Sequence, residues 1–200
     1  MIQLLVGLAM SLSVLSAASV WVSLQWQSLQ RQLQQSQYQH DVRTLMDTLV
    51  ADIKRANFKS SASSTSVNPS TTCPFDFCNS SDDFKLTEHQ ILFSIDRNDN
   101  GIKDNNECSG FRQNGKLIQT KTSCSPVVWT SLTTLKTLEV NDLRFQLLCM
   151  PDGLTASSVI LISLSTQATF QSMPTDWQRY VQLRNQHWSV QSPPCDGLVG

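Results

Sequence analysis

Val42-Arg-Thr-Leu45-Met46-Asp-Thr-Leu49-Val-Ala-Asp-Ile53-Lys-Arg-Ala56 is the stretch that decides how this chain folds. Val42, Leu45, Met46, Leu49, Ile53 and Ala56 recur at the i, i+3, i+4, i+7 spacing of an amphipathic helix. Asp41, Arg43, Asp47, Asp52, Lys54 and Arg55 fall mostly off that stripe. Toward the N-terminus the helical pattern continues but changes character. From Gln25 to Phe58 there is no Pro and no Gly, and before Arg31 there is no charge of either sign. Leu4, Leu5, Val6, Leu8, Met10, Leu12, Val14, Leu15, Val20, Trp21, Val22 and Leu24 make the first half apolar enough for a bilayer. Gln3 and five serines are its only polar residues up to Leu24. A spanning helix needs roughly 20 mainly apolar residues. Trp21 and Trp26 sit where an aromatic belt would mark the membrane surface. The expectation is one helix over residues 1–58, a transmembrane half followed by an amphipathic half, on the order of 80 Å long.

The start of the chain is unlike a secretory signal, which carries a basic n-region. Ser16-Ala17-Ala18 offers a cleavage site in principle, but the helical pattern runs on past it. Residues upstream of Met1 are therefore expected. Flanking charge gives no topology either, so orientation rests on the cysteines.

Residues 59–200 form the second expected domain, of a size that suits one core. Charged residues make up only 16% of the 200 and the net charge is -1, which argues against nucleic acid as a partner. All six cysteines, Cys73, Cys78, Cys108, Cys124, Cys149 and Cys195, lie beyond the helix. An even number confined to that part points to disulfides in an oxidising compartment. Zinc is the competing reading, but Cys73 and Cys78 are the only close pair and the histidines lie elsewhere. Of the 15 connectivities that six cysteines allow, Cys73–Cys78, Cys108–Cys124 and Cys149–Cys195 are expected. The first closes a small loop, the second brackets a hairpin and the third ties the tail to a strand.

Lys59 to Thr72 is rich in Ser and Thr, contains Asn68-Pro69 and reads as a loop. Gln90 to Ile95 alternates as a strand, with Ile91, Phe93 and Ile95 on one face. Phe111 to Gln119 contains Asn114-Gly115, a type I′ hairpin signal. Pro126 to Leu135 is ambiguous, with Trp129 and Leu132 expected to cover a sheet edge. Leu143, Phe145 and Leu147 alternate with Arg144 and Gln146 in another strand. Val159 to Leu164 is an apolar run broken only by Ser163, which predicts a central strand buried on both faces. Trp177 to Asn185 is the last strand, with Val181 and Leu183 turned inward. Such a mostly antiparallel sheet needs a cover, and the stripe from Val42 to Ala56 is the one large helical surface on offer. The fold class is α+β.

One loop carries candidate chemistry. Asp96-Arg-Asn98-Asp-Asn100-Gly101-Ile102-Lys-Asp104-Asn-Asn-Glu107 fits the twelve-residue calcium-loop pattern. A hard cation takes six to eight oxygens, which Asp96, Asn98, Asn100, the Ile102 carbonyl, Asp104 and Glu107 would supply. No helices flank the loop, and Asp, Asn and Gly also favour plain turns. His40, His89 and His187 are read as surface residues rather than general bases. The chain has no nucleophile elbow, phosphate-cradling Gly loop or zinc-protease motif, so no catalytic residue is assigned.

Ile2-Gln3-Leu4-Leu5-Val6-Gly7-Leu8-Ala9-Met10 resembles the N-terminal segment of type IV pilins and type II secretion pseudopilins. Leu45 to Ala56 is similar to the end of the long helix in their larger minor subunits. The Asp/Asn/Gly loop at Asp96, Leu138-Glu-Val-Asn-Asp-Leu-Arg-Phe-Gln146 and Val181-Gln-Leu-Arg-Asn185 resemble later pieces of the PilW-like, or J-type, minor pilins and the prepilin peptidase-dependent proteins. The resemblance implies a pilin-like fold and a bacterial inner-membrane subunit. It implies processing and N-methylation by prepilin peptidase, with the head in the periplasm and no enzymatic activity. It implies partners among the other minor pilins and the major pilin, met through the N-terminal helix, and a place in a complex that primes and caps a fibre. Gln3 stands where the family usually carries a glutamate, and on that alignment the mature end lies two residues before Met1. The alternatives are a membrane-tethered periplasmic module that binds calcium or another ligand, and a tethered hydrolase.

Overall fold

The computed structural model describes residues 2–58, 77, 84–152, 155–170 and 173–184. The chain divides into two compact units, Met1–His40 and Asp41–Gly200. Helix α1 (Ile2–Lys54) supplies all of the described first unit and opens the second. In the first unit its large apolar side chains, from Ile2 to Leu33, are exposed. In the second unit the six stripe residues Val42, Leu45, Met46, Leu49, Ile53 and Ala56 are all buried, while Arg43, Asp47, Lys54 and Arg55 are exposed. The 3.6-residue period thus places the charges outside and the apolar face inside.

The helix ends slightly earlier than the breaker-free sequence suggests. Arg55 and Ala56 N–H groups tighten to i−3 carbonyls, Asp52 O at 3.0 Å and Ile53 O at 3.1 Å. Asn57 then takes a left-handed backbone, φ 58°. Asparagine tolerates that conformation, and a left-handed residue closes a helix. The Asn57 N–H donates to Ser94 O at 2.7 Å and Phe58 O accepts the Asp96 N–H at 3.0 Å, which lays the helix exit along the end of β2 (Gln90–Ser94).

Five antiparallel strands follow in sequence order: β1 (Lys85–Thr87), β2, β3 (Cys108–Asn114), β4 (Leu117–Ser123) and β5 (Val128–Ser131). The three residues of β1, too short for a periodic signal, escape the sequence reading. Leu86, Ile91 and Phe111 stand opposite one another across three strands and are buried. Phe93 and Phe111 rings lie 6.1 Å apart, tilted by 50°. The β3–β4 turn differs from the expected one. Asn114 pairs with Leu117, so the two loop residues are Gly115 and Lys116. Gly115 takes φ 60° and Asn114 has no positive φ. A glycine at positive φ in the first central position is the II′ pattern rather than I′. Asn114 is still a strand residue because its N–H and C=O belong to the ladder. β5 is one edge of this sheet, and Trp129 on it lies under the Arg112 guanidinium, 4.2 Å from the ring centroid.

The remaining strands form a separate antiparallel sheet in the order β6 (Leu138–Asp152), β7 (Thr155–Ala168), β8 (Thr175–Gln182). One sheet was expected and two are present. β7 is central, as its apolar run suggests, but only one face is fully buried. Ile160, Ile162, Leu164 and Thr166 are buried, while Leu161, Ser163, Ser165 and Gln167 are half-buried. A three-stranded sheet covered on one side has this alternation. Val181 on β8 and Leu183 just after it point into the core, as expected.

The two sheets meet where turns of the first reach the free edge of β6. The Phe145 N–H donates to Glu88 O at 2.8 Å and the Val140 N–H to Lys116 O at 3.1 Å. His89 Nδ1 lies 2.9 Å from Leu143 O, a bond that requires the proton on that nitrogen. Gln113 donates from Nε2 to Asn141 O at 3.2 Å and accepts the Leu143 N–H at Oε1, 2.8 Å. A bulge between Val140 and Asp142 turns this edge toward the hairpin. Arg144 joins Asp142 at 2.6 Å and Glu88 at 3.2 Å on the outside, an exposed network that adds little to stability.

Two substitutions test this packing in the chain lacking its first 29 residues. Leu49→Ala removes a fully buried stripe residue and should cost about 2–5 kcal/mol in chemical denaturation. Gly110→Ala would place a methyl group 2.5 Å from Ile91 O and 2.8 Å from Leu92 Cδ2, so it should cost at least about 1 kcal/mol although it adds one carbon.

Candidate functional site

The first half of α1 is the most distinctive surface of the chain. None of its most apolar stretch is buried. The helix is long and apolar enough to cross a membrane. Its serines do not interrupt it. Each hydroxyl donates back to a carbonyl one turn earlier: Ser11 to Leu8, Ser13 to Met10, Ser16 to Ser13, Ser19 to Ser16 and Ser23 to Ser19, at 2.7–3.0 Å. A hydroxyl satisfied in this way carries little penalty in an apolar medium. Gln3 lies in the first turn, exposed.

The Asp96–Glu107 loop is the second candidate. It leaves β2 through Ile95 and returns at Cys108 in β3. Asp96 and Glu107, its ends, are both fully buried. Asp96 accepts the Asn100 N–H at 3.2 Å and the Gly101 N–H at 3.0 Å. Glu107 accepts the Arg97 N–H at Oε1 and the Asp104 N–H at Oε2, both 2.8 Å, and so clasps the loop. Asn98 and Asn100 make Asx turns, accepting the N–H groups of Asn100 and Ile102. Asp99 and Gly101 take the positive φ that the sharp reversal needs, 58° and 71°.

The side chains at the expected ligand positions do converge. Asn98 and Asn100 both donate from Nδ2 to Asp104 Oδ2, at 2.7 and 3.2 Å. They converge as donors to an acceptor rather than as a ring of acceptors. A cation would require both amides to turn Oδ1 toward Asp104 in place of Nδ2. Ile102, expected to offer its carbonyl, has an exposed side chain. Among the described residues no three His, Cys, Asp or Glu side chains are grouped to hold a metal ion.

Cys108 and Cys124 are joined by a disulfide, the pairing that brackets the β3–β4 hairpin. Cys73, Cys78 and Cys195, with the side chain of Cys149, lie outside the described residues, as does His187. His40 is exposed on the helix, and His89 belongs to the joint between the sheets. Sequence reasoning missed Asn105. Its carbonyl accepts the Cys124 N–H at 2.8 Å, its Oδ1 accepts the Ser125 N–H at 2.7 Å and its Nδ2 donates to Ser123 Oγ at 3.0 Å. Nothing in the local pattern separates Asn105 from Asn106.

A family model described as prepilin peptidase-dependent protein B (PpdB) matches residues 31–184, more than half of the chain. The chain belongs to the PpdB family. The match begins at Arg31, the first charged residue, so the apolar half of α1 lies outside it. It ends at Arg184, beside Leu183, the last buried core residue among the described residues. No curated protein matches the chain, and neither does any solved structure. PpdB membership, with one long helix and two antiparallel sheets, makes this a pilin-like protein linked by its family name to prepilin peptidase. Its N-terminal helix is consistent with an inner-membrane anchor.

Calcium titration separates the two readings of the loop. A melting temperature that rises with calcium, and a rise that Asp96→Ala abolishes, would assign the cation. A melting temperature indifferent to millimolar calcium would assign the Asx turn. On either reading Glu107→Ala leaves the Arg97 and Asp104 N–H groups without their acceptor and should cost about 1–3 kcal/mol.

Proposed function

We propose that this protein is a minor pilin or minor pseudopilin, which helps to prime assembly of a type IV pilus or type II secretion pseudopilus and sits at its tip. The observation that carries the reading is the single helix α1. Its first half is apolar and exposed throughout, and its second half is the buried stripe of a PpdB-family head. A soluble domain has no use for such a half. A plain membrane anchor has no need of unbroken helix running from the apolar segment into the head. Subunits that assemble by packing helix on helix need both. Prepilin peptidase, the inner membrane, the other minor pilins and the major pilin are the partners on this reading. The head lies in the periplasm before assembly and outside the cell at the tip after it. The protein has no catalytic role.

Gln3 supports the tip in preference to the shaft. In the family, the glutamate at this position is thought to pair with the N-terminal amine of a neighbouring subunit. Burying a carboxylate among apolar helices is costly unless it meets a cation. Glutamine carries no charge and offers only a weaker, neutral hydrogen bond. Such a subunit is poorly suited to a repeated shaft and is tolerated where one neighbour is missing.

Three measurements test the reading. On fractionation the full chain should require detergent, whereas the chain without Met1 to Leu29 should be soluble and folded; a full chain soluble without detergent would sink the anchor. In sheared fibres, quantitative mass spectrometry should find this subunit far below the major one, and near-equal abundance would exclude the tip. Gln3→Glu should leave assembly intact, because a terminal position does not use the ion pair.

A further inference from the structure

Past Leu24, α1 turns from apolar on all sides to polar with one exception. Between Gln25 and Gln37 there are seven glutamines, two serines and one charge, Arg31. The other three residues are Trp26, Leu29 and Leu33, and they are 52–64% exposed. Their spacing of three and four residues sets them in one row along the helix. The alternation carries back through Val22, Ser19 and Leu15, but there nearly every position is apolar and the pattern decides nothing. Forward, the next positions in the row are Ser36 and His40, both polar and exposed. The buried stripe takes Tyr38 and Val42 instead. The row is therefore not the start of the helix's own core face. Three large apolar side chains in line on an otherwise polar helix have the pattern of a short coiled-coil seam.

We propose that Trp26, Leu29 and Leu33 are the seam of a parallel, in-register pair between two membrane-anchored copies of this chain. The residues that flank the seam select a second copy. With Trp26 and Leu33 at heptad positions a and Leu29 at d, the g positions are Gln25 and Gln32 and the e positions are Gln30 and Gln37. In a parallel pair each g residue meets the next e residue of the other helix, so Gln25 faces Gln30 and Gln32 faces Gln37. An amide both donates and accepts, so these pairs complement themselves and no like charges meet. Arg31, the one charge, falls at f, away from the seam. A partner with charged e and g positions finds no counter-charge here. The bilayer supplies what so short a seam lacks. Three apolar residues per chain offset little of the freedom lost when two helices associate in water. An apolar segment ending at Leu24 sets both copies at one height and in one direction, so register and orientation are fixed before contact. This step rests on the anchor reading above and not on the fibre. A helical fibre staggers successive subunits along its axis, whereas two copies in one membrane stand level.

The test uses the full chain reconstituted in phosphatidylcholine–phosphatidylglycerol vesicles, with the photoreactive residue benzoylphenylalanine in place of Gln30 or, separately, of Arg31. Vesicle flotation reports the anchor by itself, so loss of the anchor and loss of the pair are read separately. Position 30 borders the seam and position 31 lies opposite, so the yield of cross-linked dimer should be at least about fivefold higher from 30. Equal yields, or none from 30, would overturn the proposal. Leu29→Asn with Leu33→Asn should abolish the difference, and because both leucines are exposed the core of the head is untouched. A difference that survives this change would overturn the seam. Orientation is tested with two differently tagged chains, one carrying Gln25→Glu and Gln32→Glu, the other Gln30→Lys and Gln37→Lys. A parallel pair brings Glu against Lys, so mixed dimers should exceed their statistical share by about twofold or more. A purely statistical mixture means antiparallel or unregistered contact and would overturn it. In whole cells, position 30 cross-linking to a different membrane protein and not to a second copy would give the seam to another helix and overturn the pairing.

Discussion

The free edge of β6 is the constraint on which the head depends. An unpaired strand edge presents donors and acceptors that another strand would satisfy. Here turns satisfy them. Glu88 O, Lys116 O, the His89 ring and both ends of the Gln113 amide meet the backbone of Val140, Asn141, Leu143 and Phe145. This ends the first sheet and begins the second without a continuous ladder. It also fixes the angle at which the two inner faces present Phe93, Phe111, Leu143 and Ile160 to the core. A strand added to β6 would displace these turns, so the joint blocks wrong pairing as well as holding the sheets together.

The helix stripe depends on the same arrangement. Val42 to Ala56 is a broad apolar face, and within its unit the inner faces of the sheets are the surfaces that can cover it. The left-handed Asn57 stops the helix where its next residues can bond to Ser94 and Asp96. The PpdB match covers this whole stretch, from Arg31 through the stripe and both sheets.

What the sequence disclosed follows physical scale. The stripe was readable because six positions repeat one period, and all six are buried. The α+β class and the bracketing cystine were readable for similar reasons, since one rests on periodicity and the other on spacing about a turn. β1 was not, because three residues carry no period. The turn type was missed because Asn-Gly is favourable in two registers, and the ladder pairing Asn114 with Leu117 chose between them. The division into two sheets was invisible for a different reason. It is made by Gln113 and His89, single polar side chains whose partners lie some 30 and 54 residues away. The oxygens of the Asp96 loop were legible, but not which of them would be spent on the loop's own amides.

The serines of the apolar helix have one consequence beyond structure. Each returns its proton to the helix that carries it, so the segment shows its surroundings almost no unmet polarity. Such a rod is indifferent to whether hydrocarbon or the side chains of other helices surround it. It can pass from one to the other with no change in its own bonding. The same hydroxyls, once pressed against a neighbour, are free to rotate and share their proton across the gap. On the proposed function, solubility in lipid and adhesion in an assembly would be two settings of one set of rotors.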